Sequence, residues 1–348
     1  MERTNRVQDV RTLSLDELKD LMEELGQPSY RAKQIHEWVH KKNVCSFSEM
    51  TNLPLSLREQ LDELFTIPLP TEVAKQISND GSRKYLLEFN DGTQVETVGM
   101  PTGNRLAVCV STQAGCAMRC SFCATGRSGL TRSLKAQEIV DQVTHVSQDF
   151  DLRVSSVVFM GQGEPFNNYD QTVSALRMLN DPDGLAIGAR HLTVSTCGII
   201  PGIKSFSQLP EQFTLAISLH SAVQATRNQL MPGVKKYTLP RLYDVIQDYV
   251  AKTGRRPTYE FAMIEGINDT NPEMDALVDF CAGTLCHVNL IQLNHITESP
   301  FKPSPIEKVE KLQQRLELRG VETTIRNSRG SDIDAACGQL RQRHAPSR

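Results

Sequence analysis

The sequence predicts an α/β fold in which a parallel sheet is wrapped by helices and closes into a partial barrel. From about residue 105, short apolar runs alternate regularly with amphipathic segments, which is the pattern of repeated βα units. Seven strands are expected in this part, so the barrel is incomplete relative to the eight-stranded form. Residues 1–72 instead show helical periodicity, and residues 73–104 alternate with a period of two. A small helical domain and a β-hairpin are therefore expected ahead of the barrel.

The helical domain, residues 1–72, is predicted from its caps and apolar spacing. Ser14 and Glu17 form a capping box ahead of a run of leucines at helical spacing. Further helices are expected over about 30–42 and after Pro54. The two prolines in residues 67–70 then predict a linker.

The hairpin, residues 73–104, is predicted from alternating apolar residues on either side of a turn. Tyr85, Leu87 and Phe89 alternate, and residues 90–92 read Asn-Asp-Gly, a hairpin turn sequence. Glu96 lies on the returning strand, where the pattern favours the solvent face for its carboxylate.

The barrel is predicted over residues 105–330, and a C-terminal segment, residues 331–348, follows it. After the first strand, further strands are expected near Val154–Met160, Leu192–Ser195, Phe213–Ser218, Thr258–Ile264, Val288–Leu293 and Val321–Ile325. Helices are expected near Leu134–Ser147, Tyr169–Leu179, Leu239–Val250, Pro272–Ala282 and Ile306–Arg319. In such folds ligands bind at the carboxyl ends of the strands.

A cysteine-rich loop follows the first barrel strand and is the strongest chemical signal in the chain. Cys116, Cys120 and Cys123 have the spacing Cys-x3-Cys-x2-Cys, and Gly115 allows the backbone to turn sharply before them. Thiolates select iron–sulfur clusters, zinc or copper(I). Structural zinc usually takes four protein ligands, and no Cys or His follows closely behind Cys123. A cubane cluster on three thiolates would leave one iron open for a substrate. The alternatives are three buried apolar side chains or a redox pair.

Composition and charge restrict the class of protein. The chain has 348 residues, a formal net charge of −3 and nine cysteines, and its start lacks the apolar core of a signal peptide. The apolar runs are too short to cross a membrane, so a cytoplasmic protein without a disulfide framework is expected. RNA binding would need local basic surfaces. The candidates are Arg31, Lys33, Lys41 and Lys42; Arg83 and Lys84; Lys235 and Lys236; Lys252, Arg255 and Arg256; and Arg341, Arg343 and Arg348.

The cysteine loop resembles that of the radical S-adenosylmethionine (SAM) superfamily. More narrowly, residues 109–126 and the string Asp332-Ile-Asp-Ala-Ala-Cys-Gly-Gln-Leu340 resemble the RlmN/Cfr family, which methylates an adenosine base in RNA at C2 (RlmN) or C8 (Cfr). The resemblance runs from about residue 15 to 341. It implies a partial (β/α)6 barrel, an RNA-binding role for the helical domain, and a [4Fe-4S] cluster on Cys116, Cys120 and Cys123.

The same resemblance implies a SAM site at the strand ends. Residues 160–165, Met-Gly-Gln-Gly-Glu-Pro, are similar to the family motif that contacts the methionyl amine, although Gln162 replaces a methionine. His295 replaces the usual proline after an asparagine, and Cys197 follows neither common pattern. The implied SAM-contacting residues are Gly163, Glu164, Ser195, Ser218, Leu219, His220 and Asn294.

The implied chemistry uses two SAM molecules per turnover. One SAM methylates Cys337, and the other yields a 5′-deoxyadenosyl radical that activates the methyl group for addition to the base. Cys109 then attacks the Cys337 sulfur and releases the RNA, and Glu96 matches the proposed proton acceptor. The implied substrates are 23S rRNA at the peptidyl-transferase centre and tRNA at the adenosine 3′ of the anticodon. A flavodoxin-like electron donor and a monomer are also expected.

Three other readings stay open. A C8 methyltransferase differs in regiochemistry, although residues 163–165 and Arg329-Gly330 look more like the C2 branch. A noncatalytic RNA-binding relative would not need Glu96, Cys109 and Cys337. A zinc protease is suggested by His36-Glu37-x-x-His40, but the next histidine is His145. The cysteines without a ligand spacing are expected to be structural: Cys45, Cys197, Cys281 and Cys286.

Overall fold

The computed structural model describes residues 8–42, 44–294, 299–326 and 328–340. The helices are α1 Leu15–Glu24, α2 Tyr30–His40, α3 Leu55–Leu64, α4 Ala124–Ser128, α5 Ala136–Phe150, α6 Tyr169–Asn180, α7 Ile200–Phe206, α8 Gln224–Leu230, α9 Leu239–Thr253, α10 Asn271–Cys281 and α11 Ile306–Glu317. The strands are β1 Gln8–Asp9, β2 Phe65–Thr66, β3 Thr71–Ile77, β4 Arg83–Glu88, β5 Gln94–Thr102, β6 Arg105–Cys109, β7 Gln113–Gly115, β8 Leu130–Ser133, β9 Val154–Phe159, β10 Leu192–Thr196, β11 Thr214–Ser218, β12 Thr258–Met263, β13 His287–Gln292 and β14 Glu322–Arg326.

One ten-stranded sheet organises the molecule, with the strand order β14-β13-β12-β11-β10-β9-β6-β5-β4-β3. Strands β6 and β9 to β14 pair in parallel, whereas β3, β4 and β5 extend the sheet antiparallel from β6. The predicted α/β fold is confirmed, and each predicted barrel strand and helix is present within three residues of its expected ends. The helices α7 and α8 were not predicted, because each has only seven residues and α7 contains Pro201 and Gly202.

The N-terminal helices pack around a separate apolar core that includes Leu18, Met22, Ile35 and Leu61. The predicted capping box is confirmed, since Ser14 Oγ accepts from the Glu17 backbone and Glu17 accepts from the Ser14 backbone. Buried Arg11 links these helices to the barrel. Its Nη1 lies 2.6 Å from Asp141 Oδ1 on α5, and its other terminal nitrogen contacts the Pro68 carbonyl.

The antiparallel strands β4 and β5 have two buried faces. Tyr85, Leu87 and Val95 pack into the main core. On the opposite face, Val98 packs with Cys109 of β6 and with Ala335 and Leu340 of the C-terminal segment. The expectation that Glu96 faces solvent is therefore wrong: the residue is only 4% exposed, because residues 330–340 cover this face.

Two of the expected basic surfaces have members that take part in contacts within the protein. Lys84 is buried, and Arg83 Nη1 lies 2.6 Å from Asp149 Oδ2. Arg255 donates to the Phe213 carbonyl, and Arg256 pairs with Glu322. The tail arginines Arg341, Arg343 and Arg348 lie outside the described residues, as does His295.

Among the helices that the structure describes, none combines the length and the apolar character that a membrane span requires.

Candidate active site

Most of the predicted ligand-binding residues line one cavity of about 150 Å³ at the carboxyl ends of the barrel strands. The three loop cysteines, Cys116, Cys120 and Cys123, form one side of it. The remaining predicted residues on its wall are Gly163, Glu164, Ser195, Ser218, His220, Asn294 and Cys337. Leu219 does not line the cavity, because its side chain is fully buried in the main core. The structure therefore brings together all of the residues predicted to bind SAM or the cluster except Leu219.

The cysteine loop is closed by backbone contacts that require glycine. Cys116 N donates to the Gly129 carbonyl over 2.7 Å, and Cys123 N donates to the Cys120 carbonyl over 3.1 Å. Gly115 has φ +78°, and a Cβ added there would lie 2.0 Å from the Gly129 carbonyl oxygen. No larger residue fits without displacing the backbone, so Gly115 fixes the path that brings the three thiols together.

The donor set fits an iron–sulfur cubane. In a cubane each thiolate binds a different iron, so the sulfurs must surround a cavity rather than converge on one point. Over the described residues, no three His, Cys, Asp or Glu side chains form a single-ion site. Burial raises the pKa of Cys116 to about 12 and that of Cys123 to about 11. Such thiols ionise when a neighbouring cation compensates the charge, and bound iron would provide that compensation.

Cys197 was expected to be a structural thiol, and it packs, partly buried, against the main core. It lines the same cavity as the cluster cysteines, and contact with the Cys120 thiol and then burial raise its pKa well above the usual value. The fully buried Arg227 donates from Nη2 to the Cys197 carbonyl over 2.7 Å. Cys281 and Cys286 are buried as expected, whereas Cys45 is exposed.

Glu164 is held rigidly at the end of β9. Its Oε2 accepts from Cys197 N over 2.7 Å and its Oε1 accepts from Phe166 N over 3.0 Å. Burial raises the pKa of this carboxyl group. Each carboxylate oxygen has a second lone pair, so Glu164 can still accept from an ammonium group.

The other strand ends present polar groups with fixed orientations. Ser195 Oγ and Ser218 Oγ lie 3.3 Å apart on neighbouring strands. His220 has φ +56°, its Nδ1 accepts from Ala262 N, and burial lowers its pKa to about 3, so the ring is neutral. Asn294 Nδ2 donates to the Cys337 carbonyl over 3.1 Å, so this residue also holds the C-terminal segment.

Cys109 and Cys337 come together beside this cavity. Both line a smaller space of about 40 Å³, which also includes Arg326 and Met160. Cys109 is buried at the end of β6, while Cys337 is exposed. Burial and then the neighbouring Cys337 raise the pKa of Cys109 to about 12. Since Cys337 lines both spaces, it connects the cluster cavity with the second thiol.

Arg326 lies in this site, although the sequence did not predict it as a site residue. Its guanidinium lies 3.7 Å from Glu260 Oε2 and 3.6 Å from Met160 Sδ. The charge of Cys337 is the largest influence that raises the pKa of Arg326, and Cys109 adds to it. Its position at the end of β14 is a signal that could have found it, because the other site residues also lie at strand ends.

Glu96 forms an ion pair with Lys84, another residue that the sequence did not predict as part of a site. Lys84 Nζ lies 3.3 Å from Glu96 Oε1, and both side chains are nearly inaccessible. Ser111 Oγ donates to the Glu96 carbonyl over 2.6 Å, which ties β5 to the start of the cysteine loop. Neither Glu96 nor Lys84 lines the main cavity, and both lie on the face that the C-terminal segment covers.

The His36-Glu37-x-x-His40 motif lies on α2, away from the cavity. The two imidazole rings are 4.4 Å apart, and His36 Nε2 is 3.5 Å from Asp181 Oδ2. Burial lowers the pKa of His40 to about 3.

Comparison with known proteins first gives the class of enzyme. The model of the radical SAM superfamily matches residues 110–280, the part of the barrel that holds the three cysteines. Together with the strand order and the cavity, this match defines a radical SAM enzyme. The model of the ribosomal RNA large subunit methyltransferase N-terminal domain matches residues 8–67.

Comparison with whole proteins then gives the family. The probable dual-specificity RNA methyltransferase RlmN of Clostridium novyi (strain NT) is 43% identical over 97% of this chain and 99% of its own. The protein of the same description from Geobacillus kaustophilus (strain HTA426) is 46% identical over 95% of this chain and 91% of its own. A radical SAM methyltransferase from Sphaerobacter thermophilus superposes with a TM-score of 0.91 at 40% identity, covering 96% of this chain and 99% of that one. The chain belongs to the RlmN family of radical SAM RNA methyltransferases.

Membership of this family tests the predicted cofactors and the hypothesis of a zinc protease. Radical SAM enzymes use a [4Fe-4S] cluster and SAM, so these two predicted cofactors are confirmed. The protease reading is wrong, because the matched methyltransferase N-terminal domain includes His36, Glu37 and His40.

Proposed function

We propose that this enzyme methylates C2 of an adenosine in 23S rRNA at the peptidyl-transferase centre and of the adenosine 3′ of the anticodon in tRNA. The observation that carries the proposal is the position of Cys337. Its side chain lines the cluster cavity and also the small space that holds Cys109. A methyl group on this sulfur would lie between a radical source and a second thiol. The words "dual-specificity" in the names of the relatives support two RNA substrates.

In this proposal Cys337 is the methyl carrier. As an exposed thiol it can meet the methyl group of SAM, and its sulfur displaces S-adenosylhomocysteine. The guanidinium of Arg326 lines the same small space as Cys337, so its positive charge lies near the sulfur that receives the methyl group. Asn294, which donates to the Cys337 carbonyl, holds the carrier at the cavity edge.

A [4Fe-4S] cluster held by Cys116, Cys120 and Cys123 would supply the electron for cleavage of a second SAM, and the methyl group on Cys337 would give up a hydrogen atom to the resulting 5′-deoxyadenosyl radical. Glu164 and the serines at the strand ends orient SAM. When the methylene carbon has bonded to C2, one unpaired electron is left on the base. The oxidised cluster would accept this electron, and Glu96 accepts the C2 proton. Cys109, as thiolate, then attacks the Cys337 sulfur: an S–S bond forms as the S–C bond breaks, and the carbon keeps the bonding electrons. This carbon takes up a proton to become the methyl group, and the RNA is released.

The resulting disulfide must be reduced before the next turnover. We propose that an external reductant performs this step. On the family resemblance, a flavodoxin-like protein donates electrons to the cluster, and the enzyme acts as a monomer in the cytoplasm. An aromatic C–H carbon is a poor nucleophile, so direct transfer of a methyl cation from SAM does not serve this reaction.

The test is anaerobic incubation of the reconstituted enzyme with SAM, a reductant and either 23S rRNA or tRNA, followed by mass spectrometry of the nucleosides. We expect 2-methyladenosine from both RNAs. Recovery of 8-methyladenosine would overturn the C2 assignment, and product from one RNA alone would overturn dual specificity.

The role of Cys109 is tested in the same assay. Cys109→Ala should accumulate a covalent RNA–protein adduct through Cys337, since no thiol attacks the adduct. Cys45→Ala removes an exposed cysteine from another part of the chain and should leave no adduct. A Cys109→Ala enzyme that turns over without adduct would remove this residue from the proposal.

A further inference from the structure

Lys84 holds a position that no part of the proposed chemistry uses. It lies on β4 opposite Val98 of β5, so Glu96, two residues earlier on β5, is its diagonal neighbour on the same face. Lys84 Nζ is 3.3 Å from Glu96 Oε1, and the two side chains are 8% and 6% exposed. Removing one partner of a buried ion pair is strongly unfavourable, because it leaves the other charge without compensation.

The same ammonium group contacts the segment that carries Cys337. Lys84 Nζ donates to the Asp334 carbonyl over 3.3 Å, and Asp334 is three residues before Cys337. One side chain thus connects the carboxylate that accepts the ring proton with the segment that carries the methyl group. A lysine suits this task, because its ammonium has three donors and can serve two acceptors.

The C-terminal segment has several anchors that do not involve Lys84. Asp332 accepts from the Ser78 hydroxyl and the Asn79 backbone, and Thr125 donates to the Leu340 carbonyl. Asp80 accepts from Gly330 N, and the Gly338 carbonyl accepts from Ala124 N. Loss of Lys84 should therefore leave the segment in place and act mainly on Glu96.

We propose that Lys84 is a positioning residue that fixes the Glu96 carboxylate relative to the Cys337 segment during the RNA step. The inference rests on the proposed function, in which Glu96 accepts the proton from the base. The Glu96 carboxylate has no ionic role in methylation of the Cys337 thiol, so the two half-reactions should respond differently to a change at Lys84.

The test compares Lys84→Met with Lys84→Arg in the full-length, anaerobically reconstituted enzyme. Three quantities are measured by mass spectrometry: S-methylation of Cys337, the covalent RNA–Cys337 adduct, and released 2-methyladenosine. Lys84→Met should keep Cys337 methylation within about twofold, accumulate the adduct, and lose about tenfold or more in released product, because general-base catalysis contributes about 10²–10⁴ in rate. Lys84→Arg retains the positive charge and should restore most of the release.

Lys75→Met is the matched control. Lys75 lies on the adjacent strand β3 in an ion pair with Asp149, without a contact to Glu96 among the described residues. It should release product like the parent enzyme. Where Lys84→Met fails to fold, Lys84→Gln keeps a donor for the Asp334 carbonyl without the charge, and the same three quantities apply.

Two results would overturn the inference. Unchanged product release from Lys84→Met would show that Glu96 does not need Lys84. Equal losses of Cys337 methylation and of product release would show that Lys84 only docks the segment. Failure of the proposed function looks different: the parent enzyme would give no 2-methyladenosine, or Glu96→Gln would release product normally.

Discussion

The molecule contains two sulfur sites that are built in different ways. The cluster site takes Cys116, Cys120 and Cys123 from one short loop, whose shape is set by local backbone bonds to Gly129 and Cys120. The thiol-pair site joins Cys109, at the end of a barrel strand, to Cys337 on a segment near the other end of the chain. The first site depends mainly on the geometry of one loop, which is also joined to the C-terminal segment by a bond from Ala124 N to the Gly338 carbonyl. The second site depends on tertiary docking. A substitution that disrupts one site should therefore leave most of the other site intact.

The largest expected effect is a complete loss of RNA methylation from either site, by different causes. Cys120→Ala should lower bound iron and abolish the product, since three thiolates are needed for the cluster. Cys337→Ala should abolish the product and keep the iron content of the parent enzyme. Iron analysis and nucleoside mass spectrometry check both variants. Methylated RNA from Cys337→Ala, or iron loss from it, would contradict the separation of the two sites.

Two glycines test the same comparison through the backbone. Gly115→Ala should destabilise the protein by about 3 kcal/mol and lower bound iron, because φ is positive and the new Cβ would overlap the Gly129 carbonyl. Gly330→Ala, with φ +62° and a Cβ 2.8 Å from the Ala335 methyl, should cost about 2 kcal/mol and reduce methylation without loss of iron. Thermal unfolding and iron content measure the difference. Iron loss in Gly330→Ala would show that the two sites are coupled.

The smallest expected effect separates the two members of the thiol pair. Cys337 is exposed, whereas burial raises the pKa of Cys109 to about 12. At pH 8, iodoacetamide should therefore alkylate Cys337 at least about tenfold faster, because the thiolate is the reacting form. Below its pKa, Cys109 gains about tenfold in thiolate for each added pH unit, so its alkylation should rise from pH 8 to 10. Site-resolved peptide mass spectrometry measures both rates, and equal rates in the native protein would contradict this asymmetry.

The two sites also differ in how far the sequence could predict them. The cluster loop could be read directly, because the spacing of Cys116, Cys120 and Cys123 and the glycine before them determine the local structure. The strand ends that line the cavity followed from the βα repeat. The burial of Glu96 could not be predicted from the alternation of apolar and polar residues along β5. This alternation does not show whether water or residues 330–340 contact the face that carries Glu96. Lys84 and Arg326 were missed for the same reason, since their partners are far away in sequence.

Synthesis from the amino terminus gives this arrangement an order in time. Cys116, Cys120 and Cys123, the proposed iron ligands, leave the ribosome before Cys337. One face of strand β5 stays uncovered until residues 330–340 have been synthesised. A nascent chain can therefore assemble its metal-binding loop while it still lacks the sulfur proposed to carry the methyl group. Residues 330–340, which are synthesised after the barrel, cover this face of β5 and bring the proposed methyl carrier to the cavity.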